Sequence, residues 1–68
     1  MLPKELNALQ EQVSLRLALL REQKETIKTY LISKYNSEDW HGVEDAASDI
    51  RDIEAEIKGL EMVAGYFI

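Results

Sequence analysis

Hydrophobic positions recur at three- and four-residue steps along most of the chain, which is the spacing of one face of an α-helix. The pattern breaks once, in the stretch KYNSEDWHG. Turn residues and acidic side chains replace the apolar steps there. We therefore predict helix one at about residues 3–35, a turn at 36–37, helix two at about 38–64 and an apolar C-terminal tail at 65–68.

The apolar stripes of the two helices match when the chain folds back at the turn. Helix two alternates steps of three and four for about three and a half heptads, as a coiled-coil seam does. Its seam positions are Val43, Ala46, Ile50, Ile53, Ile57, Leu60, Ala64 and Phe67. The fold sets Leu20 beside Ile53, Leu17 beside Ile57, Val13 beside Leu60 and Leu9 beside Ala64. A short turn requires antiparallel neighbours, so the pattern predicts an all-α, antiparallel two-helix hairpin that forms a single domain over residues 1–68.

Residues around the turn predict how the second helix starts and stops. Asn36 or Ser37 is expected to cap helix two by accepting a hydrogen bond from a free N–H group. Glu38 and Asp39 then fall in its first turn, where the helix dipole favours negative charge. At the other end, Gly65 is expected to stop the helix in a left-handed conformation.

Helix one has a second apolar stripe that the hairpin does not use. At about 100° per residue, it lies some 120° from the seam. This outer face consists of Ala8, Leu15, Leu19, Thr26 and Tyr30. An apolar stripe left in water marks an interaction surface, so we predict a homo-oligomeric helical bundle of two or more hairpins. The predicted oligomer interface comprises Leu15, Leu19 and the tail residues Tyr66, Phe67 and Ile68.

Length and composition agree with self-association. The chain has 68 residues and no cysteine, and chains this short seldom bury enough apolar surface alone. It shows neither a basic segment followed by an apolar one at its start nor an apolar run of about 20 residues, so we expect a cytoplasmic protein with no membrane span. With 13 acidic and 8 basic residues and a net charge of −5, nucleic-acid binding is not expected.

Acidic side chains line one face of helix two. This acidic ridge consists of Asp45, Asp49, Asp52 and Glu56. Like charges four residues apart disfavour the helix slightly, which suggests that a basic host protein binds the ridge. The alternative is a solvated face that keeps the oligomer soluble.

Helix one offers basic and aromatic side chains for a second kind of partner. Arg16, Arg21 and Tyr30, repeated in an oligomer, could enclose a small nucleotide between subunits. Trp40 is expected to close the turn end of the hairpin against Tyr35 or Ile32, with stacking on a ligand as the alternative. Lys24 lies within the apolar seam, and we expect its ammonium group to reach Asp49 or Glu54.

Two acidic patterns raise the question of metal chemistry. Glu38-x-x-His41 has the spacing of a metal-binding pair but occurs once, so we predict no metal site. Glu22-x-x-Glu25 followed by Asp49-x-x-Asp52 resembles the carboxylates of MazG-like all-α NTP pyrophosphatases. That resemblance implies magnesium-dependent hydrolysis, although the second pair begins here with aspartate. No nucleophile–base pair or phosphate loop is present, and we predict no catalytic residue and no cofactor.

The segment EDWHGVEDAASDIRDIEAEIKGLE, residues 38–61, resembles small proteins of tailed bacteriophages and prophages. The architecture is similar to that of the plasmid regulator Rop. The phage resemblance implies a bacterial accessory protein that acts by stoichiometric binding, for example in counter-defence, by inhibiting a host protein or sequestering a signalling nucleotide. A purely structural oligomerisation module is the alternative.

Overall fold

Two long helices form the hairpin. The computed structural model describes residues 3–65. Helix α1 covers Pro3–Asn36, 34 residues, and helix α2 covers Trp40–Gly65, 26 residues. They pack side by side into a body of 53 × 14 × 14 Å. The prediction of an all-α helical hairpin is confirmed.

The core is a narrow apolar seam between the helices. Val13, Leu17 and Leu20 of α1 are buried with Ala46 and Ile57 of α2. Partly buried residues pack against the main cluster; they are Leu9, Ile53, Leu60 and Ala64. Every one of these residues belongs to a predicted seam, so the prediction that the two apolar stripes pack against each other is confirmed for the described residues.

Lys24 interrupts the seam. It lies between this main cluster and Ala46, which is buried nearer the turn. Its side chain is partly buried, and its Nζ lies 3.2 Å from Oε1 of Glu54. The aliphatic stem thus stays within the seam while the charge reaches the edge. Of the two predicted partners, Glu54 is the one that the structure selects.

The turn differs from the predicted one because a residue other than glycine takes a left-handed conformation. Glu38 has φ of 58°. Its N–H donates to the carbonyl of Tyr35 at 3.1 Å, and the N–H of Asp39 donates to the carbonyl of Lys34 at 2.9 Å. These two bonds form the Schellman motif that ends many helices. Helix α1 consequently runs to Asn36, one residue beyond the predicted end.

The predicted cap of the second helix is wrong. Asp39 takes that role: its Oδ1 accepts a hydrogen bond from the N–H of Gly42 at 3.1 Å, and α2 begins at Trp40. Asn36 ends α1, and the Ser37 hydroxyl donates to carbonyls of the same helix. The Schellman turn uses Glu38 to reverse the chain, which leaves Asp39 as the first residue able to cap.

Two further details of the helix ends differ from expectation. Glu38 and Asp39 precede α2 instead of lying in its first turn. Gly65 is the last helical residue of α2, and no glycine in the described part of the chain has a positive φ. The left-handed stop predicted at Gly65 is therefore wrong. The predicted contacts of the tail, Tyr66 to Ile68, lie outside the described residues.

Replacing Glu38 by glycine should stabilise the hairpin. Left-handed backbone costs a side-chain-bearing residue about 1–2 kcal/mol, and glycine avoids this cost at the expense of a more flexible unfolded chain. We expect Glu38→Gly to raise the free energy of unfolding by about 0.5–1 kcal/mol, measured by urea denaturation at one protein concentration. Glu38→Ala removes the same carboxylate but keeps the strain, so it should not match this gain. An equal gain from alanine would assign the effect to charge.

Candidate functional site

The outer face of α1 is exposed to solvent along its whole length. All five of its residues are exposed, which agrees with the direction that the helical spacing predicts. Leu15 keeps 65% of its surface accessible and Leu19 keeps 45%. An open groove of about 260 Å³ begins at Leu19 and extends toward the C-terminal end of α1, where it is lined by Glu22, Gln23, Thr26 and Ile27. The groove was not expected from the sequence, although its residues follow the same helical spacing as the leucines.

The acidic ridge of α2 is exposed as well, but its members differ in their partners. Glu56 receives two hydrogen bonds from the Arg16 guanidinium, at 3.1 and 3.3 Å. For Asp45, Asp49 and Asp52, no lysine or arginine nitrogen of residues 3–65 comes within 4.0 Å. The three aspartates thus hold negative charge that the described hairpin does not neutralise.

The outer face and the acidic ridge share one broad side of the hairpin. On α1, Arg16 lies between the seam and the outer face. At about 100° per residue, it is about 60° around the helix from Leu19 and about 100° from Leu15, on the side that faces the seam. Its ion pair with Glu56, at 3.1 Å, joins this edge of α1 to the ridge of α2. Any partner that covers this side meets apolar surface and carboxylates together.

The structure does not bring Arg16, Arg21 and Tyr30 into one cluster. Arg16 and Arg21 are five residues apart and thus about 140° apart around α1. Arg21 pairs instead with Glu61 on the opposite edge of the seam, at 4.0 Å. Tyr30 lies about 20 Å along the axis from Arg16. Its ring is covered by the Lys34 ammonium group, 5.2 Å from the ring centroid.

Aromatic and charged side chains close the turn end of the hairpin. The rings of Trp40 and Tyr35 meet edge to face with centroids 5.6 Å apart, which is the contact expected from the sequence. Lys34 crosses over buried Gly42, where a Cβ atom would lie 2.9 Å from the lysine stem. The Lys34 Nζ ends 3.6 Å from the carboxylate of Asp39. Trp40 remains largely exposed beside this cluster.

The Asp39 carboxylate has a lowered pKa. The main cause is the hydrogen bond from the N–H of Gly42, and the positive charge of Lys34 acts in the same direction, partly opposed by desolvation. Sequence reasoning missed Asp39 as a structural residue. The available signal was an aspartate three residues before a glycine at the start of an apolar pattern.

Neither acidic pattern forms a metal centre in the described chain. Across residues 3–65, no group of three or more His, Cys, Asp or Glu side chains is placed to hold a metal ion. Glu38 belongs to the turn, so the pair that it makes with His41 does not lie on a helix as predicted. The carboxylates that resemble the MazG-like pattern are all exposed; they are Glu22, Glu25, Asp49 and Asp52.

No described helix is both long enough and apolar enough to cross a membrane. In comparisons with known proteins, no family model, no curated protein and no solved structure matches the chain.

The negative charge of Asp39 should make a pH-dependent contribution to stability. A carboxyl whose pKa is lowered by folding stabilises above its unfolded pKa, ordinarily 3.8, and this contribution disappears as pH falls through the lowered folded value. Asp39→Asn keeps a capping oxygen without the charge. We expect the wild-type protein to melt at a higher temperature than this variant at about pH 6, and the gap to close as pH falls below 3.8 and through the lowered pKa of Asp39 in the folded protein.

Circular dichroism melts of both proteins across this pH range test the expectation. The comparison isolates Asp39, because both proteins retain every other carboxylate. A gap that stays constant with pH would show that the charge does not contribute.

Proposed function

We propose that the protein is a non-enzymatic binding protein that acts stoichiometrically as a homo-oligomer of helical hairpins. The observation that supports this most directly is the exposure of Leu15 and Leu19 on the face of α1 that points away from α2. Exposed apolar stripes of this kind mark surfaces that another protein covers. The self-association surface is the outer face, and two or more hairpins join through it.

The acidic ridge is the surface for a different partner, a basic protein of the host. Three acidic side chains of α2 are engaged by α1, through the pairs Arg16–Glu56, Lys24–Glu54 and Arg21–Glu61, and only Glu56 of these belongs to the ridge. The ridge aspartates have no such cation within the described hairpin. Opposite charge on a partner would steer its approach and select it among other proteins.

The proposed setting is the cytoplasm of a bacterium, where the protein serves as a phage-type accessory protein. This rests on the resemblance of residues 38–61 to small phage proteins. Counter-defence by blocking a host protein fits a small acidic binder. Sequestration of a signalling nucleotide receives less support, because Arg16 and Arg21 lie on opposite edges of the seam and each is paired with a glutamate.

Placing charge on the outer face should separate the hairpins. Leu15→Glu and Leu19→Glu each put a carboxylate into the proposed interface, where burial without a partner is costly. In native mass spectrometry, we expect the wild-type protein to be oligomeric and both variants to be monomeric. Ile32→Glu is the matched control, since Ile32 is an exposed apolar residue of α1 that lies about 100° around the helix from Leu15. A monomeric wild-type protein would refute the self-association.

Reversing charge on the ridge should remove the basic partner. We expect tagged wild-type protein, isolated from bacteria at low salt, to retain a basic protein that higher salt releases. Asp49→Lys and Asp52→Lys should lower its yield about tenfold or more, whereas Glu44→Lys makes the same charge change outside the ridge and should leave the yield unchanged. Quantitative mass spectrometry gives the yields.

The same preparations also test the alternative function, which is sequestration of a small nucleotide. A bound nucleotide that is lost on replacing Arg16, Arg21 or Tyr30 by alanine, but kept on reversing the ridge, would contradict the assignment of the ridge as the functional surface.

A further inference from the structure

The hairpin has more surface than a compact chain of its size. Its solvent-accessible area is 5405 Å². A folded monomer of 7.8 kDa ordinarily exposes about 4,400 Å². The excess of about 1,000 Å² resembles the roughly 800 Å² that each partner buries in a standard interface. A second copy of the chain on one long side would account for the excess, which agrees with the self-association proposed above.

Exposed residues on the outside of α1 follow a second heptad pattern. They alternate steps of four and three; in order, they are Ala8, Gln12, Leu15, Leu19, Glu22 and Thr26. Such spacing keeps one stripe facing a second helix over several turns. The apolar pair lies in the middle, and polar or small side chains flank it on both sides. The stripe therefore suits pairing with a second long helix, and the centre of that pairing would lie near Leu17 of α1.

Parallel pairing of two α1 helices would oppose identical residues. Gln12 would meet Gln12 of the other copy, and Glu22 would meet Glu22, so that two carboxylates would face each other within the seam. Like charges directly opposed are destabilising. Antiparallel pairing avoids this, because positions on the two sides of the centre exchange places.

One antiparallel register matches every position of the stripe. When Leu15 lies opposite Leu19 of the second copy, the leucines of both chains form one central group. Gln12 then lies opposite Glu22, where an amide N–H can donate to a carboxylate, and Ala8 lies opposite Thr26. Sliding by one heptad would place Leu19 against Glu22 or separate the leucines. Residues 3–31 of α1 overlap in the matched register, nearly the whole helix.

We infer that two copies of this chain pair through antiparallel α1 helices, with Leu15 of each opposite Leu19 of the other. The inference rests on the self-association proposed above and specifies its orientation and register. The twofold axis of such a pair is perpendicular to the plane of the two helices. Since ridge and outer face share one broad side of the hairpin, both acidic ridges then face the same side of the dimer. A basic partner would meet two rows of carboxylates at once.

Single-cysteine variants test the arrangement sharply, because the chain has no cysteine of its own. Gln12→Cys and Glu22→Cys are purified, mixed by unfolding and refolding together, and oxidised; each is also oxidised alone. In the inferred register, equivalent positions of the two copies lie about 15 Å apart along the axis, too far for a disulfide. We expect the mixture to give at least about tenfold more cross-linked dimer than either variant alone.

A second pair and a control make the result independent of one substitution. Ala8→Cys mixed with Thr26→Cys should cross-link in the same manner, whereas Gln12→Cys mixed with Arg51→Cys on α2 should not. Cross-linking of Gln12→Cys or Glu22→Cys alone would overturn the antiparallel arrangement. Failure of both mixtures in variants that remain dimeric by native mass spectrometry would overturn the register. A monomeric wild-type protein would instead refute the proposed self-association, so the two failures are distinguishable.

Discussion

Two packed helices share a single seam, and each helix can bury only one stripe of its surface within a hairpin. In the part of the chain that the structure describes, five hydrophobic side chains are buried there, all from positions that face the seam. Helix α1 has a second apolar stripe for which the hairpin offers no cover. The exposed leucines follow from this mismatch between one seam and two stripes, whereas the long thin shape and the excess of surface area follow from two long helices that pack only against each other.

The ion pairs across the hairpin determine which charges remain for other partners. Arg16, Lys24 and Arg21 engage Glu56, Glu54 and Glu61. Exposed pairs of this kind contribute little to stability, about 0–1 kcal/mol each, but they favour one alignment of the helices. They also engage three of the basic side chains of α1. The three aspartates of the ridge are left with unneutralised charge beside the outer face, and this combination is what supports a binding function.

The cap of α2, at the turn, is a feature that the local sequence pattern predicted wrongly. Helix caps are predicted from residue type, and Asn36, Ser37 and Asp39 are all good capping residues. Which of them caps α2 depended on Glu38, which adopts a left-handed conformation that is uncommon for a residue other than glycine. The glutamate side chain has no property that predicts this conformation. The hydrogen bonds of the Schellman turn stabilise it at the end of α1, and the packing of Lys34 over Gly42 adds to this once α2 is in place.

The two helices, the residues of the seam and the direction of the outer face could be predicted from the order of residues alone, because helical periodicity assigns each side chain to a face before any tertiary contact forms. Lys24 could also be placed in the seam in advance, with two candidate partners. The folded hairpin was needed to show that Glu54 is that partner, that Asp39 caps α2, and that the outer face and the acidic ridge lie on the same side. The cap depends on the left-handed turn at Glu38. The other two depend on how one helix is rotated and shifted against the other, which is set jointly by side chains far apart in the chain.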